Sequence, residues 1–252
     1  MSGAALAADG LSRSFGSLRV ADQVSFELPV GARYALIGPN GAGKTTLINL
    51  LTGILHPDAG RVFLDGAEVT GLDPDRRVKR GLARTFQINQ LFPALTPLEA
   101  VTLAVCERMG LAGDWRRRLT SCRAAIDEAA ELLAALRLTE DCNRPTAELA
   151  YGRQRLLEIA LALAAKPKVL LLDEPAAGVP AAESAELFEV IAGLPADIAV
   201  LFIEHDMHLV FRFATRIIVL AAGRVLAEGT PAEIAEDPQV REVYLGGSKI
   251  RV

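Results

Sequence analysis

The chain has little of what marks a disulfide framework, a zinc site or a membrane span. Its three cysteines, Cys106, Cys122 and Cys142, show no CxxC spacing. That excludes the usual zinc and dithiol patterns and leaves reduced thiols as the reading. There is no excess of positive charge. With 27 Lys and Arg against 31 Asp and Glu, the net charge is −4. The chain therefore has no overall basic field, which argues against nucleic acid as its main partner. No apolar run approaches the roughly 18 residues of a spanning helix. The stretch from Leu156 to Ala165 is short and carries Glu158. Met1 to Ala8 lacks a basic n-region and runs straight into Asp9, so it is not expected to act as a signal peptide. Any service to a membrane is expected from its surface, through a partner. Apolar residues are plentiful, at 51% of 252. That suffices for a sizeable core in one large domain, or a domain with a subdomain.

The stretch Gly38-Pro39-Asn40-Gly41-Ala42-Gly43-Lys44-Thr45-Thr46 organises the rest. The apolar run Tyr34 to Ile37 precedes it, and Leu47-Ile48-Asn49-Leu50-Leu51 follows. Strand, glycine-rich loop and helix form the context in which GxxxxGK[ST] is a phosphate-binding loop. Glycines let successive N–H groups converge on one anion, and the helix N-terminus adds partial positive charge. Lys44 is placed to reach the β- and γ-phosphates. The Thr45 hydroxyl is a hard oxygen suited to Mg²⁺.

Along the chain, residues 5–37 read as strands, with Val24 to Leu28 alternating as an antiparallel strand with one wet face. Arg61 to Gly66 reads as strand then turn. Thr96-Pro97-Leu98-Glu99 is a capping box that starts a helix running to about Met109. Gly110 to Thr120 is a connector containing Trp115 and the run Arg116-Arg117-Arg118, which reads as a solvated face or, alternatively, as a contact for lipid head groups or an acidic partner. Ala124 to Leu138 has helical spacing. The α/β pattern resumes with a helix over Gly152 to Ala165, buried parallel strands at Val169 to Leu172 and Ile198 to Ile203, and helices at Ala181 to Ala192 and Met207 to Phe213. A hairpin spans Ile217 to Ala227. The expected class is α/β: a P-loop NTPase core with an antiparallel β subdomain and an inserted α-helical subdomain. One domain, 1–252, is expected, with the core and β subdomain at 1–91 and 146–230, the helical insert at 92–145 and a helical tail at 231–252.

Asp173 and Glu174 stand at the carboxyl end of a buried strand, where open α/β sheets place their ligands. There an aspartate can hold Mg²⁺ through water, and the adjacent glutamate can polarise an attacking water. His205 follows the strand ending at Ile203-Glu204, and from a strand end in the same sheet it can reach a γ-phosphate. Gln87, after the strand-like Leu82-Ala83-Arg84, is a polar group able to complete a Mg²⁺ and water shell. His56 reads as a solvated loop histidine, and His208 has no assigned role.

With Leu149-Ala150-Tyr151-Gly152-Arg153-Gln154 added before the Asp173-Glu174-Pro175 strand, the order and spacing resemble an ATP-binding cassette (ABC) ATPase over essentially the whole chain. The resemblance is nearest to the ATP-binding subunits of branched-chain amino acid uptake transporters, in particular the longer of their two ATPase types. It rests on Gly81 to Gln87, Leu149 to Gly152, Asp173 to Gly178, Ile203 to Met207 and Val243 to Gly246. It implies ATP and Mg²⁺ as cofactors, with Phe15 stacked on adenine beside Val20 where the bare sequence would make Phe15 core. It further implies Gly38 to Thr46 on the phosphates, with Thr45, Gln87 and Asp173 toward the metal. Lys44, Glu174 and His205 would serve catalysis. Tyr151, Gly152 and Arg153 would face the nucleotide of a second cassette, in a homo- or heterodimer paired head to tail. Transmembrane permease subunits would dock near residues 87–120, a solute-binding protein would act indirectly, and the location would be peripheral on the cytoplasmic face of the inner membrane. Three positions depart from the pattern: Ala150 replaces the signature serine, Arg153 replaces a glutamine, and Val179-Pro180-Ala181 replaces a loop with Asn or Asp before Pro. Competing readings are a lipopolysaccharide exporter ATPase, a soluble cassette acting on nucleic acid or ribosomes, and a degenerate nucleotide-sensing cassette.

Overall fold

A computed structural model describes residues 3–85, 91–111 and 119–245. In chain order the first elements are β1 (Ala4–Phe15), β2 (Leu18–Pro29), β3 (Arg33–Ile37), α1 (Lys44–Thr52), β4 (Ala59–Leu64), β5 (Ala67–Glu68), α2 (Pro74–Lys79) and β6 (Leu82–Arg84). Then come α3 (Pro97–Arg108), α4 (Arg123–Ala135), α5 (Tyr151–Ala164), β7 (Val169–Asp173), α6 (Ala181–Ala192) and β8 (Ala199–Ile203). The last are α7 (Met207–Phe213), β9 (Arg216–Ala221), β10 (Arg224–Gly229), α8 (Pro231–Glu236) and α9 (Pro238–Leu245).

These elements divide into two compact units. One comprises Met1–Arg84, Lys168–Glu174 and Leu194–Val252. It holds both sheets. The first is antiparallel, in the order β2-β1-β4-β5, and the second runs β10-β9-β3-β8-β7-β6. β2 forms as its alternation dictates: Val24, Phe26 and Leu28 are buried while Ser25 and Glu27 are exposed. In the second sheet β3, β7 and β8 are buried at every residue, as expected of central parallel strands covered on both faces. Register decides where their ends fall. Leu36 of β3 and Asp173 of β7 both pair with Ile203 of β8. The residues just beyond, Gly38, Glu174 and His205, therefore leave one edge of the sheet together. One apolar core joins the two sheets and α1, with Leu6, Leu28, Leu36, Leu47, Leu171 and Leu201 among its members.

The other unit comprises Thr85–Pro167 and Pro175–Gly193. It is helical, with α3 packed on α4 and α5, and α5 on α6. The capping box forms: Glu99 N–H donates to the Thr96 hydroxyl at 3.2 Å and Thr96 N–H to the Glu99 carboxylate at 2.9 Å. Arg108 Nε donates to the Ala164 carbonyl at 2.7 Å, placing a cation at the C-terminus of α5 where the helix dipole favours it. Its Nη2 meets both carboxylate oxygens of Glu128 at 2.7 Å. α5 and α6 group here with α3 and α4, α5 packing on all three, and Leu157, Ala160, Leu187 and Ile191 are among their buried residues. The Arg116 to Arg118 run lies outside the described residues.

Candidate ATP site

The loop between β3 and α1 takes its shape from close backbone approach. Gly43 sits at φ 101°, and a Cβ there would come 2.4 Å from the Val20 carbonyl oxygen. A Cβ at Gly38 would come 2.2 Å from the Leu220 carbonyl oxygen. No other residue type fits at either position without moving a neighbouring strand. The turn of the β9–β10 hairpin ties the loop from outside. Gly223 N–H donates to the Ala42 carbonyl at 3.1 Å, and Asp22 N–H to the Gly223 carbonyl at 2.8 Å. α1 then begins at Lys44 with Gly43 as its N-cap, so its first N–H groups open toward the loop.

Lys44 is 8% exposed. Its ammonium donates to the carbonyls of Gly38 at 2.6 Å and Pro39 at 3.1 Å. Burial pulls its pKa below the ordinary lysine value, while the charges of Glu174 and Asp173 oppose that shift. Glu174, one residue beyond β7, is held at φ 50°, a left-handed conformation that costs a non-glycine residue free energy and that clusters at functional sites. Its N–H donates to the Ile203 carbonyl at 3.1 Å. Its Oε1 lies 2.7 Å from His205 Nε2. The His205 N–H in turn donates to the carboxylate of Glu204, a buried residue, at 3.1 Å.

Together these groups line an open cleft of about 240 Å³, bounded by Val20, the loop from Asn40 to Thr46, Glu174 and His205. The cleft combines converging N–H groups, a lysine and a helix N-terminus, which suits a polyphosphate. The carboxylate and imidazole opposite suit the handling of a proton. The donor set also suits Mg²⁺. Thr45, which lines the cleft, and Asp173, whose charge is felt at Lys44, offer hard oxygens. Mg²⁺ is the ion that manages with one or two protein oxygens, taking the remainder from water and substrate phosphate.

The other expected site residues fall as follows. Phe15, at the end of β1, is 46% exposed and not core, with the Arg13 guanidinium 5.2 Å from its ring centre. Arg13 is itself held by Asp58 at 2.8 Å. Gln87 lies outside the described residues. Tyr151, Gly152 and Arg153 open α5 in the helical unit. The Tyr151 hydroxyl accepts from Arg155 at 2.8 Å, and a Cβ on Gly178 would come 3.1 Å from the Tyr151 ring. A Cβ on Gly152 would come 2.5 Å from a Glu183 carboxylate oxygen. Arg153 donates to the Arg137 carbonyl at 2.8 Å and lies 3.8 Å from Glu186. Gly152 and Arg153 line a cavity within that unit together with Ala150, Glu183 and Glu186.

Two arginines reach α1 in ways that no local motif marks. Arg84 donates to Asp173 Oδ2 at 2.8 Å and to Asn49 Oδ1 at 2.7 Å. Arg77, in α2, donates to carbonyls at the C-terminal end of α1. Arg84 closes the strand-like Leu82-Ala83-Arg84 and falls within Gly81 to Gln87, but neither it nor Arg77 has a role assigned from sequence. The approach of α2 and β6 to α1 is what gives them partners.

Known proteins resemble this chain in sequence and in fold. Residues 21–177 match the ABC transporter family, and residues 224–249 match the branched-chain amino acid ATP-binding cassette transporter family. The high-affinity branched-chain amino acid transport ATP-binding protein BraF of Pseudomonas aeruginosa is 41% identical, covering 98% of this chain and 99% of its own. An ATP-binding cassette of an ABC transporter, solved in its ADP conformation, superposes with a TM-score of 0.85 at 30% identity, covering 96% of this chain and 99% of that one. A bacterial ABC transporter cassette solved as a dimer gives a TM-score of 0.74 at 25% identity over 90% of this chain and 98% of that one. On sequence and on fold alike, this chain belongs to the ABC transporter family as one of its ATP-binding cassette ATPases.

Proposed function

We propose that the chain binds and hydrolyses ATP to power the uptake of branched-chain amino acids or closely related small solutes. It does so as a peripheral subunit on the cytoplasmic face of the inner membrane, paired with a second cassette and docked on permease subunits. The observation that carries the chemistry is the Glu174–His205 contact of 2.7 Å at the mouth of the phosphate-loop cleft. Glu174 accepts a proton from water as the water oxygen attacks the γ-phosphorus. The bond to the β–γ bridging oxygen breaks, and ADP leaves with its electron pair. His205 holds the Glu174 carboxylate in place through that hydrogen bond. Lys44 exchanges the carbonyls of its own loop for phosphate oxygens. Mg²⁺, when bound through Thr45, Asp173 and water, supplies positive charge to the β- and γ-phosphoryl oxygens. Phe15 presents an exposed ring for the adenine.

The loop-and-helix chemistry supports the pairing. Gly152 stands in the first turn of α5, a 14-residue helix. That turn offers a partner's γ-phosphate a second helix N-terminus. A cassette of similar fold solved as a dimer supports the pairing itself. Among the described residues no helix is long and apolar enough to cross a membrane. The amino acid cargo rests on the likeness to BraF.

Glu174→Gln tests the chemistry. It is expected to keep ATP binding and to lose on the order of 10²–10⁴ in turnover, read as phosphate release by the purified chain. Undiminished hydrolysis removes Glu174 as the base. Uptake of labelled leucine by cells lacking the chain tests the cargo, and unimpaired uptake overturns it.

A further inference from the structure

Asp173 needs something to aim it. It is 4% exposed, the last residue of β7, and its carboxylate can turn about its own side-chain bonds. The guanidinium of Arg84 meets it. Arg84 ends β6, whose register pairs Arg84 with Leu171 of β7. Its side chain is 11% exposed, so the ion pair is screened little by water. One guanidinium nitrogen donates to Asp173 Oδ2 at 2.8 Å and another to Asn49 Oδ1 at 2.7 Å. Asn49 lies on α1, the helix that opens at Lys44. A planar, rigid fork therefore spans the phosphate-loop helix and the acidic strand.

We propose that Arg84 is a positioning residue for the metal of the bound nucleotide. It engages Oδ2 of Asp173, turns the rest of that carboxylate toward the cleft, and couples its orientation to α1 through Asn49. This rests on the reading of Asp173 and Thr45 as the groups that face Mg²⁺. A purely structural Arg84 would only neutralise a buried carboxylate. The two roles differ in what they do to metal dependence. Groups that orient a metal-facing carboxylate change metal affinity by about 10–100-fold when removed. A counter-charge for the fold changes stability and leaves the metal dependence of nucleotide binding as it was.

The experiment measures ADP affinity of the full chain by calorimetry, in EDTA and in Mg²⁺, for the wild type, Arg84→Gln, Arg84→Lys and Asn49→Ala. The wild type is expected to gain affinity from Mg²⁺. Arg84→Gln is expected to bind as the wild type does in EDTA and to lose about tenfold of the Mg²⁺ gain. Arg84→Lys restores part of it. Asn49→Ala keeps the ion pair and frees it from α1, and it loses about threefold. An Arg84→Gln chain that keeps the full gain overturns the proposal. If that variant does not fold, Asn49→Ala decides, and an unchanged gain overturns it. A wild type with no Mg²⁺ gain at all overturns the reading of Asp173 as a metal group, and with it the proposal.

Discussion

Replacing Arg77 by methionine should destabilise the sheet-bearing unit by about 3–5 kcal/mol. Arg77 is 1% exposed. Its guanidinium makes four hydrogen bonds, all to carbonyls: Leu50 at 2.8 Å, Leu51 at 2.6 Å, Thr70 at 2.7 Å and Leu72 at 2.9 Å. Leu50 and Leu51 belong to the last turn of α1, where the Gly53 N–H reaches the Leu50 carbonyl only at 3.4 Å and Arg77 supplies the nearer donors. A cation there also meets the negative end of the helix dipole. Burial pushes the Arg77 pKa down, yet an arginine keeps its charge in a protein. Methionine fills similar space and supplies no donor. Each buried carbonyl left alone costs about 1–3 kcal/mol. Against that sum stands the desolvation of the guanidinium, which the variant no longer bears. Lysine should fall between, because a single ammonium cannot span four carbonyls. Urea unfolding followed by circular dichroism reads the difference directly. A methionine variant within about 1 kcal/mol of the wild type would refute the reasoning, since it would mean those carbonyls find water or each other at no cost. The Gly53 C-cap at φ 80° belongs to the same device, as a Cβ there would come 2.8 Å from Arg77 Nε.

Gly43→Ala should weaken ADP binding by about 10–100-fold, from a backbone strain of about 1–3 kcal/mol and the overlap with the Val20 carbonyl. Calorimetry that finds an unchanged Kd refutes the fit described for the loop. Phe15→Ala should weaken ATP binding by about 1–3 kcal/mol and leave the melting temperature where it was, because the ring is half exposed. A variant that binds ATP as the wild type does excludes the stacking role, and a lowered Tm with intact binding returns Phe15 to the core.

The phosphate loop was legible because its chemistry is local. Glycines, a lysine and a hydroxyl at fixed offsets need only a strand before and a helix behind, and Tyr34 to Ile37 and Leu47 to Leu51 supply both by pattern. The capping box at Thr96 and the buried strands β3, β7 and β8 were legible for the same reason: each answers to spacing over a few residues. Phe15 was not. Its place at the end of β1 leaves the ring outside the core, and no short-range pattern distinguishes that from burial. Nothing in the local sequence brings α2 or the end of β6 against α1, so the partners of Arg77 and Arg84 could not be read from it. Only packing shows that one caps the phosphate-loop helix and the other grips Asp173. By itself, the sequence determined which groups could meet a phosphate, because residue type and offset set that chemistry. Tertiary structure decided which of them do meet at one edge. That edge depends on Leu36 and Asp173 sharing Ile203 as a register partner, and pairing between strands far apart in sequence is written in no single stretch of the chain.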